Sequence, residues 1–128
     1  MNDALAIIGN LMFQSKVDAM LSANNLVSNR ARTIEDAKTF VKNSNPRIVI
    51  LDLCQSKVDP LAFIEHLRSN EISDPGPILC YSSHIETELM EKARSLGATR
   101  VAANSLMSSR GAELISECLR AASNEPSR

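Results

Sequence analysis

One small constellation in this chain could do chemistry. Asp52 follows the apolar run Ile48-Val49-Ile50-Leu51, and Ser82 closes a second run, Ile78-Leu79-Cys80-Tyr81. Runs of this length, bounded by prolines and polar loops, suit strands buried on both faces of a parallel sheet. Ligands bind such sheets outside the carboxyl ends of the strands, so Asp52 and Ser82 fall at the edge where function is built. Cys54 and His84 each stand two residues further on. A carboxylate, a hydroxyl and an imidazole are the parts of a small hydrolase, and Asp52-Ser82-His84 is one reading of them. Against it, the sequence has no Gly-x-Ser-x-Gly elbow and no evident oxyanion hole. The plainer reading makes Asp52 a strand-end carboxylate hydrogen-bonded to Asn10 and Ser82, with His84 in a first helical turn beside a Ser83 cap. On that reading no residue is catalytic and none is a metal ligand.

Composition narrows the class. The chain has 128 residues, with 14 Lys plus Arg against 15 Asp plus Glu and a net charge of -1. That length supports one domain that buries roughly two-thirds of its unfolded surface, without disulfides or structural metal. The near-neutral balance gives no electrostatic footprint for nucleic acid or an anionic membrane. Aromatics at 3% leave too few rings for base-stacking platforms. Cys54, Cys80 and Cys118 are odd in number and lack C-x-x-C spacing, which reads as reduced thiols in a cytoplasmic protein. No apolar run is long enough to span a membrane, and Met1 leads almost directly into the first strand, leaving no room for a signal peptide.

The elements that must position these residues alternate along the chain. Ala4 to Ile8 is a short strand ending at Gly9-Asn10. Phe13, Val17, Met20 and Leu21 recur at helical spacing up to Asn24-Asn25. Leu26-Val27-Ser28 is a weak strand. Thr33 caps a helix whose apolar stripe is Ile34, Ala37, Phe40 and Val41. Arg47 to Leu53 is the central strand. Asp59-Pro60 is a cap followed by a preset first helical residue, with Leu61, Ile64 and Leu67 inward. Ser73 to Pro77 is turn chemistry. After the strand at 78–82, Ser83-x-x-Glu86 has capping-box spacing and opens a helix carrying Ile85, Leu89, Met90, Ala93 and Leu96. Gly97 ends that helix. Arg100 to Ala103 is the last strand, and a final helix runs from about Met107 to Ala122, with 124–128 as a tail beyond a domain at 1–123. Five strands alternating with five helices argue an α/β three-layer sandwich of the flavodoxin-like kind, with a parallel sheet in the order 2-1-3-4-5. Flavin is not expected, because Asn10-Leu11-Met12-Phe13 is too apolar for a phosphate loop.

At this point the residues resemble the receiver domains of two-component response regulators, over nearly the whole chain. Asp52-Leu53 ends the third strand where that family carries its phosphoacceptor. Asp59-Pro60-Leu61 stands where receivers carry Asp-Gly-Leu, Ser82 stands at the Thr/Ser that contacts the phosphoryl group, and Ser95-Leu96-Gly97-Ala98 resembles the Leu-Gly-Ala signature. Phe13 to Lys16 and Ser82 to Leu89 look like a set of stand-alone, receiver-like proteins. The resemblance implies signalling, with Asp52 as the phosphoacceptor candidate and Asn10, Cys54, Ser82, His84 and Asn104 around it. It also implies where the chain departs. The acidic pair that holds Mg²⁺ is here Gly9-Asn10 (or Asn10-Leu11, if the register slips by one), the lysine after the fifth strand is replaced by Asn104-Ser105, and the aromatic switch position is Val101.

The expectation is therefore a degenerate receiver: not an enzyme, without cofactor, acting through a protein partner such as a histidine kinase or effector, with little or no phosphorylation of Asp52. The alternative is a phosphorylatable receiver with an atypical metal site, for which Mg²⁺ would be needed. Lys57, in the loop after Asp52, is the one nearby cation that could swing inward. Leu11-Met12-Phe13 and Leu106-Met107 would give the crevice an apolar rim. Glu88, Glu91, Lys92, Arg94 and Arg110 offer mixed charge for a homodimer through the fourth helix, fifth strand and fifth helix. With no DNA-binding extension expected after the last helix, output would pass through a partner or through dimerisation.

Overall fold

The computed structural model describes residues 2–69, 72 and 76–124. The turn residues 73–75 and the tail at 125–128 lie outside the described residues. The strands are β1 (Asp3–Ile7), β2 (Val27–Asn29), β3 (Ile48–Asp52), β4 (Ile78–Ser82) and β5 (Arg100–Ala103), alternating with α1 (Leu11–Ala23), α2 (Ile34–Ser44), α3 (Pro60–Leu67), α4 (Thr87–Ser95) and α5 (Asn104–Asn124). All pairings are parallel, and the order is β2-β1-β3-β4-β5. The strand order reverses between β1 and β3, which opens a crevice at their carboxyl ends.

The period of two along each strand divides the core into two layers. Leu5, Ile7, Val49, Leu51, Cys80 and Val101 pack on one face, against residues of α2, α3 and α4. Ala4, Ala6, Ile48, Ile50, Leu79, Tyr81 and Ala102 pack on the other, against α1 and α5. Counting on by twos places Asp52 on the face of Ile50 and Tyr81, and Ser82 on the face of Cys80.

Local chemistry sets the helix ends. Thr33 Oγ1 accepts from Asp36 N–H at 3.1 Å and Asp59 Oδ1 from Ala62 N–H at 3.2 Å, so both expected caps form. Asn25, at φ 61°, closes α1 with the Leu26 N–H reaching back to Leu21 C=O at 2.9 Å. Gly97, at φ 114°, closes α4 in the same way, with Ala98 N–H on Ala93 C=O at 3.0 Å. The capping box does not form. Ser83 instead takes Glu86 N–H on its carbonyl in a turn, α4 starts at Thr87 with no side-chain cap, and Ile85 stands exposed rather than inward. In α3 the fully buried ring is Phe63, with Leu61 only partly buried.

The last helix starts three residues before the expected Met107 and runs through Asn124. Asn104 is thus its first residue, directly after β5. Met107 is fully buried, so it belongs to the core and not to a rim. The helix breaks at Arg110 (φ -133°, ψ 22°), and Gly111 lets α1 approach: a Cβ there would lie 2.2 Å from Met20 Sδ. This contact, with Asn24 Nδ2 donating to Ala112 C=O at 3.1 Å, fixes α1 beside α5 over the Asp52 face of the sheet.

Arg68 ties the opposite layer together. Its guanidinium donates to Gly97 C=O at 2.9 Å, Gly76 C=O at 2.8 Å and Thr99 Oγ1 at 3.2 Å. A Cβ on Gly97 would lie 2.7 Å from Arg68 Cγ, on a backbone already in the left-handed region. Gly97→Ala is therefore expected to cost about 1–3 kcal/mol, read as a lower urea midpoint at unchanged m-value.

Candidate functional site

Asp52 ends β3 with both carboxylate oxygens held by backbone. Oδ2 accepts from Gly9 N–H at 3.1 Å and Oδ1 from Cys54 N–H at 2.9 Å. Neither bond is to Asn10 or Ser82, so the expected partners are wrong. Asn10 is the N-cap of α1, its Oδ1 accepting from Phe13 N–H at 3.0 Å. Ser82 is fully buried, with Oγ 3.4 Å from Cys54 Sγ and 3.3 Å from Ser83 C=O, to which it donates. His84 lies exposed in the turn before α4, not within the helix. Among the described residues nothing bonds His84 to Ser82 or Asp52, so the hydrolase triad is not assembled.

The loop after Asp52 is folded back onto the end of β1. Gln55 is only 7% exposed and organises it. Its Oε1 accepts from Lys57 N–H at 2.8 Å and Val58 N–H at 2.9 Å, while Nε2 donates to Val58 C=O at 2.6 Å. Lys57 does turn inward, but onto Ile8 C=O at 3.1 Å rather than onto the carboxylate. Ile8 C=O and Gly9 N–H belong to one peptide group. The ammonium pulls on the oxygen side of that peptide while Asp52 accepts from its nitrogen side, an arrangement in which each bond strengthens the other.

Above this fork lies an open crevice of about 350 Å³. Asn10, Lys16, Asp52 and Asn104 supply its polar lining. Met12, Phe13 and Tyr81 supply the apolar wall, with Cys54 at the side. Leu11 and Met12 stand at the rim, 79% and 78% exposed. Lys16, from α1, reaches Ser108 Oγ on α5 at 3.0 Å. Tyr81 stacks on Phe13 with centroids 4.6 Å apart, 13° from parallel. Burial, then the charges of Asp52 and Cys54, push the Tyr81 phenol well above its ordinary range, so it stays a protonated donor. Neither Ser82 nor His84 lines this crevice. Tyr81 and Lys16 line the crevice where strand-end reasoning placed Ser82 and His84. The usable signal was the alternation along β4, which puts Tyr81 and not Ser82 on the face of Asp52.

No family model matches the chain, and no curated protein matches it. Solved structures do. NtrX from Brucella abortus is similar at a TM-score of 0.81 and 20% identity over 94% of this chain, which spans 27% of the NtrX chain. The signal receiver domain of a response regulator from Bermanella marisrubri gives 0.80 and 20%, covering 92% of this chain and 98% of that one. The beryllofluoride-activated NtrC4 receiver domain dimer gives 0.80 and 19%, covering 95% and 99%. The fold is that of a response-regulator receiver domain. Within that receiver fold Asp52 keeps the end of the third strand.

The Mg²⁺ that the receiver resemblance implies does not fit the residues present. Such an ion is usually held by one or two carboxylates plus water and substrate oxygens. Among the described residues Asp52 is the one carboxylate lining the crevice, Asn10 Oδ1 is engaged in its cap, and Gly9 offers no side chain. A Cβ on Gly9 would lie 3.0 Å from Gln55 Cβ and 3.4 Å from Asp52 Oδ2, so a side chain there would press on the folded-back loop. Among the described residues no group of three or more His, Cys, Asp or Glu could hold a metal ion.

The thiols separate cleanly. Cys54 is exposed, while Cys80 and Cys118 are buried. Burial pushes the Cys80 thiol up to about 12 and raises that of Cys118. A chromogenic disulfide reagent near neutral pH should therefore titrate Cys54 alone in the folded chain. That reaction should vanish in Cys54→Ser, and all three thiols should react in urea.

Proposed function

We propose that this chain is a receiver-like signalling domain that works through protein contacts, with little or no phosphorylation of Asp52. The observation that carries this reading is that Gly9-Asn10 stand where receivers carry the acidic pair, with Gln55 Cβ 3.0 Å from where a Cβ on Gly9 would lie. Phosphoryl transfer to a carboxylate is mostly positioning plus charge neutralisation by metal and cation. Two backbone N–H groups satisfy the carboxylate that is already there. They offer nothing to the further negative charge of a phosphoryl group, and Asn104 at the start of α5 is neutral where a lysine would be needed.

The partner is a protein of a signalling pathway in the cytoplasm, met without nucleic acid or membrane. Among the described residues no helix is long and apolar enough to cross a membrane. Pairing with a second copy through α4, β5 and α5 is the weaker part of this reading. Arg94 is bonded to Glu91, Arg100 to Glu117 and Arg110 to Glu113 within the chain, so a reciprocal interface would have to exchange these partners.

The test is incubation with Mg²⁺ and a small phosphodonor, followed by intact mass beside an Asp52→Asn control. The expected outcome is no adduct that depends on Asp52. A stable phosphoryl adduct lost in Asp52→Asn would instead favour a phosphorylatable receiver with an unusual site.

A further inference from the structure

We draw no further inference here: the strongest candidate, the exposed apolar rim of Leu11 and Met12 at the mouth of the Asp52 crevice, carries nothing, because Asp52 and Lys16 line that crevice with opposite charges and nothing in the structure shows what covers it.

Discussion

A carboxylate held in a fork of two backbone N–H groups is the contact on which the functional end of this molecule depends. Gly9 donates from the end of β1 and Cys54 from the loop after β3, so Asp52 joins the two strands where the sheet order reverses. Bonds from N–H groups to a charged acceptor are typically worth about 1.5–3 kcal/mol each, enough to fix the course of a short loop. The rest of the loop follows. Gln55 closes it over Gly9, and Lys57 draws the Ile8–Gly9 peptide from its far side. Glycine at position 9 suits this close packing, since a Cβ there would lie 3.0 Å from Gln55 Cβ.

The architecture was legible in the sequence because it rests on patterns longer than one residue. Four buried apolar residues before Asp52, helical spacing from Phe13 to Leu21, and Gly97 before Arg100 each leave few alternatives, and strand order 2-1-3-4-5 follows from the alternation. The candidate site was legible only in part. Asp52 and Asn10 do stand at the crevice with Asn104 and Cys54. Ser82 and His84 do not, because a strand turns alternate residues to opposite faces and a one-residue difference decides between Tyr81 and Ser82. Ser83 and Glu86 had the spacing of a cap, yet the backbone turn satisfies Glu86 N–H through the Ser83 carbonyl. The role of Gln55 depends on the close approach of two loops distant in sequence, which no local pattern encodes.

The crevice sits at the functional edge of a receiver fold, and its lining is specific to this chain. Gln55 packs close against Gly9, and Tyr81 of β4 and Lys16 of α1 line the crevice beside Asp52.

A carboxylate already satisfied by the Gly9 and Cys54 amides should not recruit Mg²⁺, and amide resonances report this at the fork itself. In a Mg²⁺ titration followed by ¹⁵N spectra, the Gly9 and Cys54 amides should stay at their hydrogen-bonded positions through tens of millimolar Mg²⁺, with no saturable shift. A saturable, millimolar or tighter response centred on those two amides and abolished in Asp52→Asn would contradict the account.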